Sequence, residues 1–145
     1  MPITVRVPNI ATTADELRRL PANLERLTIL RMSQIAYDAA LRGADRHTKT
    51  GALRQSLYNR AIPKGREVGH DPARAPHALF VNFGTRPHVI RPKDKKALRW
   101  VAGNGFVFAK KVNHPGYRGD AYIVQAATEA VREFARIVND AIKES

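Results

Sequence analysis

A chain of 145 residues has an ordinary length for one domain, so we expect residues 1–145 to fold as a single unit with its own core. The absence of Cys excludes disulfides, thiolate chemistry and cysteine-based zinc sites, and no apolar run approaches the length of a membrane span. The net charge of +12 raises nucleic acid, an anionic membrane surface or an acidic protein as a partner.

The positive charge is concentrated in the middle of the chain. Residues 47–118 carry 15 Lys and Arg against three Asp and Glu, whereas residues 1–46 carry seven against five, and residues 119–145 carry three against five. The central segment therefore accounts for the whole imbalance. A solvated surface that keeps the protein soluble explains such a segment equally well.

The N-terminal part predicts an extended arm followed by a short helix. Residues 1–12 include the alternating stretch Ile3–Val7, which suits an edge strand, a frayed end or an arm that reaches a neighbour. Thr13 and Glu16 have the spacing of a capping box, which predicts a helix that starts there and ends near Leu20.

A long helix is predicted from Pro21 to Leu41, with Pro21 in its first turn and Gly43 as its C-terminal stop. Its apolar residues form two stripes, so the helix should pack against a sheet on one side. The other side is left for either the C-terminal helix or a second subunit.

Residues 53–62 are compatible with two secondary-structure predictions. Leu53, Leu57 and Tyr58 suit a short helical turn, while residues 56–62 equally suit the start of a strand. Residues 63–75 are rich in Gly, Pro and charge and predict a flexible loop. We expect that loop to be disordered in the free monomer and to become ordered against a neighbour.

Short strands joined by tight turns are predicted for the centre. They cover residues 78–83, 88–92, 98–101 and 106–112, and residues 102–105 give a hairpin signal between the last two. A C-terminal helix should begin near Asp120. The predicted fold class is α+β, with an antiparallel sheet of about four strands packed against a long N-terminal helix and a C-terminal helix.

The residues show no catalytic, metal-binding or cofactor-binding constellation. No two His stand at i,i+3 or i,i+4, the acidic residues of the basic segment form no close pair, and no phosphate-binding glycine motif is present. We therefore expect no enzymatic activity, with a basic nuclease as the least favoured reading. His88 and His114, each beside a Pro, are expected to hold turns through side-chain hydrogen bonds.

Cations and aromatic residues alternate within one short region. Phe83, Trp100, Phe106 and Phe108 stand among the cations, and such aromatics either stack on bases or fill the core of a sheet. The candidate interaction residues there are Arg86, Arg91, Lys93, Lys95, Lys96, Arg99, Lys110 and Lys111. A stand-alone basic nucleic-acid-binding module is therefore the alternative function.

Four stretches together resemble a known family. They are TGALRQSL at 50–57, ALFVNFGTRPHVIRP at 78–92, KKALRW at 95–100 and VFAKKVNHPG at 107–116. In order and spacing, from about residue 48 to 127, they resemble the small neck and tail-completion proteins (minor tail, lambda tail protein Z-like) of long-tailed bacteriophages. The turn motif that carries the resemblance comprises Phe83, Gly84, Thr85, Pro87, His88, His114, Pro115 and Gly116.

The resemblance implies a structural virion protein without chemistry, assembled in the host cytoplasm. Such a protein joins the head-completion ring to the tail as a ring of copies, so its implied partners are the head-completion or connector protein and the tail terminator or tail tube protein. Contact with the phage DNA would be incidental, weak and salt-dependent. One residue departs from the family's pattern: Asn82 stands where a Glu is expected, which puts a role for a carboxylate there in doubt.

A closed ring, with six copies as the expected number, would match a tail of six-fold symmetry. Each subunit then needs two different complementary surfaces. Because residues 47–118 are basic and residues 119–145 are net acidic, the two segments are expected to meet across a subunit boundary. The acidic candidates are Glu129, Glu133 and Asp140.

Overall fold

The computed structural model describes residues 9–47 and 49–145. The helices are α1 (Ile10–Arg18), α2 (Ala22–Asp45), α3 (Ala52–Ser56), α4 (Ala78–Phe83), α5 (Tyr122–Arg132) and α6 (Phe134–Glu144). The strands are β1 (Leu57–Ile62), β2 (Gly65–His70), β3 (His88–Ile90), β4 (Leu98–Ala102), β5 (Gly105–Ala109) and β6 (Val112–His114). The fold is α+β, as predicted, with a long helix near the N-terminus and helices at the C-terminus.

The first helix begins earlier than the capping-box spacing predicts. Asn9 precedes α1 with a φ of 63°, a left-handed conformation that Asn tolerates, and Thr13 is buried inside the helix. The expected arm at residues 1–12 is therefore wrong for residues 10–12, while Ile3–Val7 lies outside the described residues. The end of α1 at Arg18 fits the prediction, since Pro21 has no N–H to extend a helix.

Helix α2 is the element around which the body of the protein packs. It contacts α5, α6, β1 and β2. Both a sheet and the C-terminal helices thus pack on α2, although Leu30 stays 47% exposed. Gly43 lies inside α2 and does not stop it, so that part of the prediction is wrong. A Cβ at Gly43 would lie 2.5 Å from the Cβ of Tyr122, which explains a glycine where α5 approaches most closely.

Residues 52–62 contain both elements that the sequence left open. Helix α3 ends at Ser56, and β1 starts at the next residue. Strand β2 pairs antiparallel with β1, from Leu57 opposite His70 to Ile62 opposite Gly65. The prediction of a loop at residues 63–75 is therefore wrong for residues 65–70, which form a strand. Backbone pairing there outweighs the Gly and charge content that favours a loop.

In place of the predicted four-stranded sheet, residues 9–47 and 49–145 form three separate two-stranded antiparallel sheets. They pair β1 with β2, β3 with β6, and β4 with β5. The predicted hairpin is confirmed, with Ala102 opposite Gly105 at its tip. The predicted strand at 106–112 ends at Ala109, and the chain then enters β6 to pair with the short strand β3.

Residues 78–83 form a helix, so their assignment as a strand is wrong. Their aromatic and β-branched content favours a strand locally, but the buried residues Ala78 and Asn82 are four apart, which is the helical repeat. The Asn82 side chain donates from Nδ2 to the Ala78 carbonyl at 3.0 Å. Its Oδ1 accepts from the Ile123 N–H, and this tertiary contact of a buried polar side chain overrides the local preference.

The C-terminal helix is two helices rather than one, because the helix is interrupted at Glu133 between α5 and α6. Both segments place small or aliphatic residues against α2, among them Ala126, Ala130, Ile137 and Ala141. The buried core otherwise gathers residues from α2, α3, the start of β1, the turn before α4 and α4 itself: Ala39, Ala40, Ala44, Leu53, Leu57, Ala75 and Ala78.

Candidate interaction surface

The two halves of the turn motif meet in space, although about 30 residues separate them in sequence. Thr85 and Tyr117 form a two-way backbone bridge, with N···O distances of 2.7 Å and 2.9 Å. We call the contact between residues 84–88 and 114–119 the glycine junction. It joins the end of α4 to the chain that leads into α5.

Three glycines allow the backbones of the glycine junction to approach this closely. Gly84, Gly116 and Gly119 all have positive φ, between 78° and 86°. A Cβ at Gly116 would lie 2.6 Å from the Thr85 carbonyl oxygen, and one at Gly119 would lie 2.6 Å from the Gly84 nitrogen. No other residue fits these positions without displacing the backbone, so the motif glycines are needed for the fold itself.

The two histidines of the motif hold turns, as predicted. His88 Nδ1 lies 2.8 Å from the Arg86 carbonyl oxygen, and the Gly116 N–H donates to His114 Nδ1 at 3.0 Å. His88 and His114 are also directly opposed in the β3–β6 pair, with ring centroids 4.9 Å apart. Pro87 and Pro115 flank these turns, and Phe83, the last residue of α4, stays exposed beside them.

Asn82, which stands where the family pattern has a Glu, links α4 to the start of α5. Its Oδ1 accepts a hydrogen bond from the Ile123 N–H at 3.1 Å, while its own carbonyl accepts one from the Ala121 N–H at 2.9 Å. A side chain from α4 therefore caps the start of α5. The neutral amide makes this contact without a buried charge, since Asn82 is only 5% exposed.

The β4–β5 hairpin exposes large apolar side chains on both faces. Its register places Arg99 opposite Phe108 and Val101 opposite Phe106, so these four side chains share one face. Val101 is 70% exposed, Phe108 65% and Phe106 57%, while Trp100 on the opposite face is 41% exposed. The Arg99 guanidinium lies over the Phe106 ring, 4.6 Å from its centroid. We call the face with Arg99, Val101, Phe106 and Phe108 the aromatic face.

All eight predicted basic interaction residues lie between residues 86 and 111, which we call the cationic segment. Each of the eight is exposed: Arg86, Arg91, Lys93, Lys95, Lys96, Arg99, Lys110 and Lys111. The described residues form ten ion pairs, and all ten lie outside the cationic segment. Asp94, its one carboxylate, has no ion pair within residues 9–47 and 49–145. The structure thus leaves all eight predicted cations exposed and without carboxylate partners among the described residues.

The three predicted acidic residues lie in ion pairs within the chain. Glu129 Oε1 is 2.8 Å from Arg42 NH2, and both Glu133 and Asp140 contact Arg136. Any contact between these carboxylates and the basic surface of a second copy would compete with those pairs. The expected charge contact across a subunit boundary therefore stays a prediction, and it would require these carboxylates to leave their partners within the chain.

A second apolar surface lies on α4 and near it. Leu79, Phe80 and Phe83 on α4 are exposed, as are Val89 and Tyr117 close by. A shallow depression of about 690 Å³ lies beside this surface, between α4 and the β3–β6 pair. Sequence reasoning missed this surface because it placed residues 78–83 in the sheet. A different groove, of about 810 Å³, runs between α2 and the β1–β2 hairpin and includes the exposed residues Leu30 and Ile62.

A buried polar network joins β2, α3 and α5. The Ser56 hydroxyl donates to the Leu53 carbonyl at 2.8 Å, so it accepts from His70 Nδ1 at 2.6 Å. His70 Nε2 is then free to accept from the Tyr122 hydroxyl at 2.5 Å. Burial lowers the pKa of His70 and raises the pKa of Tyr122. Ser56 and Tyr122 are buried while His70 is half-buried, and the network stabilises the neutral imidazole.

Asp120 anchors the start of α5 to the end of α2. Its Oδ2 lies 2.6 Å from His47 Nε2 and 2.9 Å from Arg46 NH2. Desolvation raises the pKa of Asp120, but the hydrogen bonds and charges of His47 and Arg46 outweigh it, so the pKa is lowered. Asp120 therefore has a structural role in joining the two helices.

Among residues 9–47 and 49–145, no three His, Asp or Glu side chains lie close enough together to hold a metal ion. Over the same residues, no helix has both the length and the apolar character needed to cross a bilayer. The chain matches no protein-family model, no curated protein and no solved structure. The geometry of these surfaces is therefore the basis for any functional proposal.

Proposed function

We propose that this chain is a structural protein of a phage neck, where copies form a ring that joins the head-completion ring to the tail. The observation that carries the proposal is the apolar surface left uncovered on α4 and near it, where Leu79, Phe80 and Phe83 are exposed. Exposed apolar residues that adjoin one another mark sites where macromolecules meet. The resemblance of residues 48–127 to neck and tail-completion proteins supplies the identity of the assembly.

The structure offers surfaces of two different shapes for head-to-tail contact. Helix α4 carries the exposed side chains Leu79, Phe80 and Phe83, and a groove between α2 and the β1–β2 hairpin carries Leu30 and Ile62. A ring requires two unlike surfaces on each subunit, because each copy contacts one neighbour with each. We expect the α4 patch of one copy to enter the groove of the next.

The test is the mass of the assembly and the location of the chain in particles. Native mass spectrometry of the purified protein should show a closed oligomer, with six copies expected, and electron microscopy should place a ring of this chain at the neck. The double variant Phe80→Ser and Phe83→Ser should weaken assembly while the monomer stays folded, since both side chains are exposed. The matched control Ile10→Ser and Ile142→Ser changes exposed apolar residues outside both surfaces and should assemble normally.

Two results would contradict this proposal. One is a chain located elsewhere in the particle or without rotational symmetry about the tail axis. The other is a Phe80→Ser and Phe83→Ser variant that enters particles at the normal copy number, which would remove the α4 patch from the contact.

A further inference from the structure

We infer that the cationic segment is a binding site for single-stranded nucleic acid, with phosphates on its lysines and arginines and bases stacked on the aromatic face of the β4–β5 hairpin. This function is separate from the ring and does not depend on it. It rests on three features of the described residues, namely unpaired charge, the lack of available carboxylates on another copy, and the arrangement of the hairpin side chains.

The charge of the cationic segment calls for an anion from outside the chain. Eight exposed Lys and Arg stand against the single carboxylate of Asp94, and none of the eight forms an ion pair within the described residues. Elsewhere, arginines of the same exposure have partners, such as Arg42 with Glu129 and Arg60 with Glu67. Unpaired exposed cations also occur elsewhere among the described residues, such as Arg26 and Lys143, but residues 86–111 hold eight of them with a single carboxylate in the segment.

A second copy of this chain cannot easily supply that anion. Nine of the 13 carboxylates already form ion pairs within their own chain, all of them among the described residues: Asp15, Asp45, Glu67, Asp71, Asp120, Glu129, Glu133, Asp140 and Glu144. Each copy carries a net charge of +12, so the cationic segment of one copy would also be repelled by the positive charge of its neighbour. The charge thus favours a polyanion over self-association.

The aromatic face decides between types of polyanion. Phe106 and Phe108 are on the same side of the hairpin with Arg99, and more than half of each phenyl residue is exposed. Antiparallel sheets that bind single strands use this arrangement, in which bases stack on exposed rings while cations contact the phosphates. In a duplex the base faces are already stacked on each other, so the rings would have nothing to stack on. The site is therefore expected to prefer single strands.

The position of the lysines suits a strand that runs across the hairpin. Lys95 and Lys96 precede β4, and Lys110 and Lys111 follow β5, so two pairs of cations flank the base of the hairpin. Because Leu98 is opposite Ala109 in the register, these pairs lie beside each other at the same end. A nucleic-acid backbone at that end meets both pairs, while its bases reach the aromatic face.

The experiment measures fluorescence anisotropy of a labelled oligothymidylate of about 20 nucleotides with the full chain, against a duplex of equal length. The single strand should bind more tightly, and its affinity should fall steeply with salt, because phosphate contacts release counterions. Phe106→Ala with Phe108→Ala should lower single-strand affinity about five-fold or more. Lys95→Gln with Lys96→Gln should reduce the logarithmic salt slope by about 1.4.

Matched controls change the same residue types outside the cationic segment. Lys64→Gln with Lys143→Gln removes two exposed lysines, and Ile10→Ala with Ile142→Ala removes two exposed apolar side chains. Both controls should bind the oligonucleotide within about two-fold of the parent chain, since each lies outside the site. Circular dichroism of every variant establishes that the fold is intact.

Several outcomes would overturn the inference. Equal affinity for single strand and duplex, unchanged in the Phe106 and Phe108 variant, would mean that no base stacks on the hairpin. Displacement of the oligonucleotide by an equal charge concentration of polyglutamate would indicate an acidic protein as the partner, and preferential binding to vesicles of anionic phospholipid would indicate a membrane surface. A ring that forms but binds no strand would overturn this inference alone, and a monomer that binds the strand would uphold it while contradicting the ring.

Discussion

In the helical body, several exposed arginines have carboxylate partners: Arg42 contacts Glu129, and Arg46 contacts Asp120. In the cationic segment, cations of the same exposure have none. Aromatic residues differ in the same way, because Tyr122 is 1% exposed in the body whereas Phe108 is 65% exposed on the hairpin. The body is therefore explained by contacts within the chain, and the cationic segment requires contacts with something else.

The largest expected change in the free energy of unfolding comes from adding one methyl group inside the helical body. Gly43→Ala should destabilise the protein by about 2 kcal/mol, even though Ala is about 1 kcal/mol better than Gly inside a helix. The reason is that the new Cβ would lie 2.5 Å from Tyr122 Cβ, where α2 and α5 touch. Urea denaturation followed by circular dichroism measures the change.

Gly105→Ala is the matched control in the hairpin. A Cβ there would meet no atom within 4 Å, so the free energy of unfolding should change by less than about 0.5 kcal/mol. Equal costs at the two glycines would contradict the distinction between a packed body and an open hairpin.

A smaller effect should follow from pH, through the buried network of the body. Because burial lowers the pKa of His70 in the folded state, the unfolded chain binds more protons in the range between the two pKa values. The free energy of unfolding should therefore rise with pH in that range. The stability that neutral His70 contributes should be present above the ordinary His pKa of about 6.5 and should be lost as the pH falls below it. One proton limits the slope to about 1.4 kcal/mol per pH unit.

Urea denaturation at a series of pH values measures this dependence. His70→Gln should flatten the curve between about pH 7 and pH 5, whereas His88→Gln should retain it because His70 is intact. A curve of unchanged slope in His70→Gln would show that the Ser56–His70–Tyr122 network does not govern the pH dependence.

The smallest expected effect lies on the hairpin. Phe108→Ala removes a large apolar side chain, yet it should change the free energy of unfolding by less than about 0.5 kcal/mol, because that side chain is mostly exposed already. Phe→Ala changes in a protein core cost about 3–5 kcal/mol. A cost of that size at Phe108, measured in urea, would mean that the hairpin is packed against the body in solution.

The sequence predicted the elements whose signals are local. The Gly103–Asn104 turn between alternating strands gives the hairpin, Pro21 separates α1 from α2, and the prolines beside His88 and His114 indicate the turns that these histidines hold. Each of these depends on a few neighbouring residues. The cationic residues were equally predictable, since charge and exposure go together.

The sequence failed where distant contacts decide. Residues 78–83 read as a strand, but Asn82 caps α5 about 40 residues away, and this contact requires a helix. Gly43 reads as a helix stop, but its purpose is the approach of Tyr122. The division into three sheets depends on which strands meet in space, and residue patterns within each strand do not specify that.

The bridge between Thr85 and Tyr117 makes the intervening chain a detachable module. Two backbone hydrogen bonds join Thr85 to Tyr117, and the β3–β6 pair follows, so residues 91–111 begin and end side by side, as at the ends of an inserted domain. A segment with adjoining ends can be lengthened, shortened or exchanged while the residues that build the core keep their neighbours. Changes within that segment can thus alter what the molecule binds while the core stays as it is, and engineered grafts can enter at the same two points.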